Sequence, residues 1–251
     1  MQKVDFEIQL PETEIVRNLP IQEEFFWLSQ NRKERKLRVH DYAQIYRIPH
    51  LYEHLMEKLQ AKSHIVLSSL LIDRVTQAGG DVKDLIVLEV GAGSGMVGKA
   101  LADLGVKSIT GIDILPEAAQ AAKRECPGVY ENYYVEDLTN LSETARDTLS
   151  SRGFNCMVCA SALTSNHVPP LGLATAFNLM APNSWIAFNV KKELWEEKGE
   201  ASFVAWHPWV GETDIFEIAQ MHEYQHRFHL DGRPLYYIAI IGTKRANIPK
   251  S

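Results

Sequence analysis

The stretch Leu85-Ile86-Val87-Leu88-Glu89-Val90-Gly91-Ala92-Gly93-Ser94-Gly95 constrains this chain more than any other: a short apolar run passes directly into a turn with glycine at every second position. An apolar run of that length reads as a strand covered on both faces, and such strands belong to parallel sheets flanked by helices. Residues 96–104 follow at helical spacing and Gly105 closes them. The alternation then repeats. Ser108-Ile109-Thr110-Gly111-Ile112 reads as a second strand, and residues 116–125 read as a helix opened by Pro116. Tyr133-Tyr134-Val135, Cys156-Met157-Val158-Cys159 and Trp185-Ile186-Ala187-Phe188-Asn189-Val190 supply three more strands. Strands and helices in alternation predict an α/β fold, a doubly wound, mainly parallel sheet with right-handed crossovers. Tyr236-Tyr237-Ile238-Ala239-Ile240-Ile241 is a further strand, and Asp231-Gly232 before it predicts a two-residue hairpin. The segment up to Leu230 should therefore pair antiparallel with it, giving seven strands.

Ahead of this alternation the pattern differs. Val4-Asp5-Phe6-Glu7-Ile8, Phe25-Phe26-Trp27-Leu28 and Leu37-Arg38-Val39 are β-like, the last two separated by the polar turn Gln30-Asn31-Arg32-Lys33. From His40 to Gln77, Ile45, Ile48, Leu51, Leu55, Leu59, Val66, Leu70, Ile72 and Val75 recur at helical spacing. We expect an N-terminal β appendage and helical cap over residues 1–78, and the sheet domain over 79–251. With 251 residues, 45% of them hydrophobic, the chain can bury its own core. Three cysteines, no basic-to-apolar leader and no long apolar run predict a cytoplasmic protein without membrane contact. A net charge of −6 disfavours a polyanionic partner, and the basic run from Arg32 to Arg38 reads as a solvated face. Nothing in the sequence fixes the oligomeric state.

At a strand-to-helix junction, residues without side chains let the backbone approach a ligand, and the free N–H groups of the helix start attract anionic groups. Gly93-Ser94-Gly95-Met96-Val97-Gly98 also satisfies the G-x-G-x-x-G dinucleotide pattern, so the turn alone leaves an NAD-dependent oxidoreductase open. Asp113, closing the second strand, suits ribose hydroxyls in either case. Glu89 separates the two readings. Beside a pyrophosphate a further carboxylate repels, whereas it attracts the ammonium of S-adenosylmethionine. Asp137, after the third strand, can accept from an adenine amino group.

Glu89-Val90-Gly91-Ala92-Gly93-Ser94-Gly95, Gly111-Ile112-Asp113, Glu136-Asp137 and the terminal hairpin resemble the successive motifs of class I S-adenosylmethionine-dependent methyltransferases, over roughly residues 80–245. Residues 111–118 and 162–169 are also similar to the Williams–Beuren-region methyltransferase-like group. The resemblance implies S-adenosylmethionine as methyl donor and S-adenosylhomocysteine as product. It implies Glu89, Gly91, Ala92, Gly93 and Gly95 around the methionine part, Asp113 at the ribose, Asp137 at the adenine, and the ring between Ile114 and Leu138. Tyr42, with His40, Asp41 and Tyr46, is implied as a cap over the cofactor. Where relatives carry Phe-Asp-x-Val, this chain has Phe154-Asn155-Cys156-Met157-Val158, and no Asn-Pro-Pro-aromatic motif of nucleic-acid methylation follows. The acceptor is expected to be a small molecule or a protein; a cofactor-binding domain without turnover is the other reading the resemblance leaves.

Two motifs carry competing chemistry. His222-Glu223-Tyr224-Gln225-His226 matches the zinc motif H-E-x-x-H, which requires a helix. Glu223, Gln225, Arg227 and His229 alternate with Tyr224, Phe228 and Leu230 up to the Asp-Gly turn, which predicts a strand and no metal. Cys156 and Cys159 have C-x-x-C spacing, but three apart on a strand they point to opposite faces. Ligands of open α/β sheets bind beyond the carboxyl ends of the strands, which places the acceptor near residues 161–168 and 191–194. His167, on the loop after the fourth strand, is the candidate general base. Trp195, Phe203, Trp206 and Trp209 read as an amphipathic helix packed on the core through Phe203, Trp206 and Val210, or as a substrate lid.

Overall fold

The computed structural model describes residues 5–17, 19–163 and 167–249. The N-terminal stretch forms β1 (Glu7–Gln9), α1 (Thr13–Val16), β2 (Phe25–Gln30), β3 (Lys33–Arg38), α2 (Tyr42–Tyr46), α3 (Leu51–Lys58) and α4 (Ser63–Gln77). The main layer then alternates β4 (Ile86–Val90), α5 (Met96–Asp103), β5 (Ser108–Asp113), α6 (Pro116–Glu125), β6 (Asn132–Val135), α7 (Glu143–Ser151), β7 (Cys156–Cys159), α8 (Pro170–Asn178) and β8 (Trp185–Lys191). Two short helices, α9 (Lys192–Glu196) and α10 (Phe203–Trp206), lead to the long hairpin β9 (Phe216–Phe228) and β10 (Pro234–Lys244).

The seven strands of the main sheet run β6-β5-β4-β7-β8-β10-β9. The first five are parallel, and β10 lies antiparallel to both β8 and β9, as the alternation and terminal hairpin predict. Both faces are covered, which is why these strands lack an apolar–polar alternation. On one face Leu67, Leu71 and Val75 of α4 and Val97 and Leu101 of α5 pack on Val87, Cys156 and Ala187. On the other, Leu149 of α7 and Leu173 and Phe177 of α8 pack on Leu88, Met157, Cys159 and Phe188. Cys156 and Cys159 thus face opposite layers, as strand geometry requires. Asn155 ties β7 to its neighbour by accepting from Ile86 N–H (2.7 Å) and donating to the Asp84 carbonyl (2.8 Å).

The three N-terminal strands form a separate antiparallel sheet, with Asn31 and Arg32 at φ 54° and 60° making the left-handed turn that a two-residue hairpin favours. Its apolar face, Phe26, Leu28 and Leu37, packs against Ile45, Leu51 and Leu55 of α2 and α3 and against Leu230 of the terminal hairpin.

Three expectations need correction. Among the described residues the first strand begins at Glu7 and leaves out Asp5 and Phe6, while Val4 lies outside the described residues. The Asp231-Gly232 turn is wider than a two-residue hairpin: His229 N–H donates to the Arg233 carbonyl, leaving Leu230, Asp231 and Gly232 as a three-residue loop with Gly232 at φ 82°. The aromatic stretch is no single amphipathic helix, because α10 ends at Trp206. Phe203, Trp209 and Val210 enter the core while Trp206 borders a cavity.

Candidate active site

The carboxyl ends of β4, β5, β7 and β8 open into a cavity of about 880 Å³. Its floor is the glycine turn. Gly91, Gly93 and Gly95 have φ of 67°, 54° and 96°, the left-handed region that side-chain-bearing residues avoid. At Gly93 a Cβ would also lie 2.6 Å from the Tyr46 hydroxyl, so its absence lets α2 seat directly on the turn.

Asp113, at the end of β5, lines this cavity and accepts from Gly93 N–H and Leu115 N–H, both at 2.9 Å. Burial raises its pKa, and the backbone donors at Leu115, Gly93 and Ile114 oppose that rise. Ile114 beside it is 62% exposed, an apolar side chain left bare on the cavity wall, and Leu138 lines the same wall. Asp137 is exposed at the rim, where its Oδ1 accepts from Thr139 N–H and Oγ1 and its pKa is lowered by those bonds. Glu89 borders the cavity yet is only 2% exposed. Tyr130 donates to its Oε2 at 2.8 Å, and desolvation drives its pKa up to about 8. Tyr133 donates to the Gly93 carbonyl at 2.7 Å. Gly98, the last glycine of the dinucleotide pattern, serves packing here: a Cβ would lie 2.5 Å from the Tyr130 hydroxyl and 2.8 Å from Glu89 Oε2.

An aromatic cluster forms the roof. Tyr42 stacks on Tyr46 at 5.9 Å between ring centres and meets Tyr52 edge-on at 6.1 Å. The His167 ring lies 5.4 Å from Tyr42 and 6.0 Å from His40, and all three border the cavity. Burial lowers the pKa of His167, with the Asp113 carboxylate pulling the other way. Thr164, Ser165 and Asn166, part of the loop expected to meet the acceptor, lie outside the described residues. The roof is held by Arg124, which donates to the Tyr46 carbonyl (2.9 Å), by Arg47 paired with Glu117 (2.6 Å), and by Ser94 donating to Glu53.

The far end of the cavity contains residues that the sequence pattern did not assign to the cofactor or the acceptor. A register shift in the β9–β10 pairing leaves His226 unpaired between Gln225, opposite Tyr236, and Arg227, opposite Leu235. This bulge places consecutive side chains, His226 and Arg227, both buried and both on the cavity. Strict alternation assigns Arg227 to the outer face, and the bulge overturns that assignment. His226 Nδ1 bonds the Ser63 hydroxyl at 2.6 Å, and Asn189 donates to Ser63 (2.9 Å) and to the Tyr224 hydroxyl (2.6 Å). Arg227 donates to Glu24 at 2.6 Å and to the Phe228 carbonyl at 2.7 Å. His222 stands exposed on the strand, so the H-E-x-x-H residues lack the helix that zinc staging needs.

A family model described as a methyltransferase domain matches residues 53–232, most of the chain. The chain belongs to that family. Its fold matches magnesium protoporphyrin IX methyltransferase from Synechocystis PCC 6803 with bound S-adenosylmethionine, with a TM-score of 0.51 and 17% identity, covering 72% of this chain and 80% of that one. The same enzyme with bound S-adenosylhomocysteine gives 0.50 and 14%, covering 72% and 83%. The ribosomal protein L11 methyltransferase of Acinetobacter baumannii (strain AYE) is 46% identical over 57 residues, 22% of this chain. The chain spans only about a fifth of the length of the curated relatives it matches (19%). Family and fold place the chain among methyltransferase domains, and the nicotinamide reading is set aside. Among the described residues no helix is long and apolar enough to cross a membrane.

Proposed function

We propose that the chain transfers a methyl group from S-adenosylmethionine, held over the glycine turn, to a small molecule held in the remainder of the cavity. One observation carries the reading: a single cavity runs from Gly91 and Gly93 past Asp113 to the N-terminal sheet and the β9 bulge. Its volume, about 880 Å³, stands near the top of the range of about 300–1,000 Å³ for ligand sites, which favours two ligands side by side. A protein or nucleic-acid acceptor would have to pass the aromatic roof.

The walls fit the methyl donor. Ile114 is bare where a flat apolar ring needs cover, with Leu138 on the same wall. The Asp113 carboxylate accepts two backbone donors and retains lone pairs for the ribose hydroxyls. Glu89 supplies a carboxylate for the methionine ammonium, Gly91, Ala92, Gly93 and Gly95 supply backbone, and Asp137 borders the rim for the adenine amino group. When bound, the sulfonium supplies a methyl group on an already activated leaving group. The chain then has to align the acceptor and exclude water, which Tyr42, Tyr46 and Tyr52 do by closing the roof. His167 is the base for an acceptor that must lose a proton. Burial keeps its imidazole neutral near pH 7, ready to accept.

The test compares wild type with Asp113→Ala and His167→Ala. Calorimetric affinity for S-adenosylhomocysteine should fall by about 1.5–3 kcal/mol in Asp113→Ala, the scale of bonds to a charged group. It should hold in His167→Ala, whose single-turnover methylation of an identified acceptor should drop about 10²-fold or more. Unchanged affinity in the first variant contradicts the cofactor assignment; an unchanged rate and pH profile in the second removes the base.

A further inference from the structure

The cavity extends beyond the glycine turn into a chamber bordered by His40, Tyr52, His226, Arg227 and Tyr237. Its cations differ in setting: Arg38 is exposed and Lys191 half-buried, whereas Arg227 is only 3% exposed. A guanidinium has five N–H donors in a fixed fork. Arg227 commits one to Glu24 Oε2 and one to the Phe228 carbonyl, and the other three have no acceptor among the described residues. Next to it, the buried Nδ1 of His40 has no hydrogen-bond partner among the described residues. A buried cation on a cavity wall with hydrogen-bonding capacity left over is costly unless a ligand uses it.

We propose that this chamber binds the carboxylate of a small, largely apolar methyl acceptor, with Arg227 supplying both the charge and the N–H donors. The proposal rests on the reading of a small-molecule methyltransferase and names its substrate class. The field around Arg227 agrees with it. Burial dominates the pKa of His40 and His226, which it lowers, and of Tyr42, Tyr52 and Tyr237, which it raises; on all five the Arg227 charge acts in the lowering direction, so it is felt on α2, α3, β9 and β10 alike. Because Glu24 already pairs with Arg227, the chamber offers less than one full positive charge. A singly charged carboxylate matches that, and a doubly charged phosphate monoester does not. The tyrosine rings of the roof supply apolar walls for the rest of the molecule.

The experiment titrates protein saturated with S-adenosylhomocysteine with matched acid and amide pairs: benzoate and benzamide, phenylacetate and phenylacetamide, indole-3-acetate and indole-3-acetamide, plus phenyl phosphate. We expect at least one acid to bind about tenfold or more tightly than its amide, and phenyl phosphate no better than the amides. Replacing the pair together, Glu24→Gln with Arg227→Gln, avoids stranding a buried charge and should erase the acid preference, with affinity for S-adenosylhomocysteine within about threefold of wild type. No acid binding, equal binding of acid and amide, or a preference surviving the double variant overturns the proposal. So does tightest binding of phenyl phosphate, or a variant that weakens only S-adenosylhomocysteine. If the double variant does not fold, the wild-type acid-to-amide ratio decides, and Arg227→Lys, which keeps the charge but loses the donor fork, must reduce it. Failure of wild type to bind S-adenosylhomocysteine would instead refute the underlying cofactor reading.

Discussion

Glu89 carries a carboxylate in a setting that opposes its charge. Burial raises its pKa to about 8, with Asp113 adding repulsion, against the partial relief of the Tyr130 hydroxyl and Gly98 N–H. An acid whose folded pKa lies above its unfolded value favours the native state most below the unfolded pKa. Its contribution therefore declines as pH climbs from about 4.5 towards 8. A ligand ammonium reverses this locally by favouring the ionised form. Binding of S-adenosylhomocysteine at pH 7 should release a proton, and its affinity should rise with pH up to about 8 before levelling. Calorimetry in buffers of different ionisation enthalpy reads the release directly. Glu89→Gln should abolish it, and a wild type that releases nothing would contradict the pairing. The motif marks Glu89 and Asp113 as strand-end carboxylates, and both line one cavity. It gave no sign of Tyr130, which approaches from the loop before β6 and is brought to Glu89 only by the fold.

At the scale of elements, α5 shows how helix propensity and site packing compete. Ala in place of Gly98 should gain about 1 kcal/mol of helix propensity. The added Cβ would lie 2.5 Å from the Tyr130 hydroxyl, however, and overpacking costs about 1–3 kcal/mol before the Tyr130–Glu89 bond is counted. The penalty wins. Gly98→Ala should lower stability in urea by about 1–3 kcal/mol, and in a Tyr130→Ala background that penalty should shrink by about 1 kcal/mol or more. Equal losses in both backgrounds would show that Tyr130 is not the cause. The order of strands and helices was readable because buried parallel strands and amphipathic helices each impose a local period on the sequence. The β9 bulge was not, because a single extra residue at His226 changes which face Arg227 occupies without altering the composition of the strand. The hairpin loop escaped for a related reason: Asp231-Gly232 marks a turn, but the bond between His229 and Arg233 sets its width.

Across the whole molecule, the N-terminal sheet is fastened to the terminal hairpin as well as to its sequence neighbours α2 and α3. Glu24 accepts from Arg227, from His229 Nδ1 at 2.8 Å and from Leu230 N–H at 3.3 Å, and Leu230 completes the apolar cluster of Phe26 and Leu37. During synthesis the N-terminal sheet can pack on α2 and α3 early, but Glu24 and the edge of its apolar cluster must wait for Arg227, His229 and Leu230 of the terminal hairpin. Contacts of such long sequence separation form late because loop closure precedes their reward. In pulse-labelled refolding, the amide of Leu230, which donates to Glu24, should gain protection after those of β4 and β5. Protection of the Leu230 amide in an earlier phase would contradict this order. The chamber wall that carries Arg227 is then among the last parts of the cavity to come into being, and a chain cut short before β9 lacks the buried guanidinium altogether.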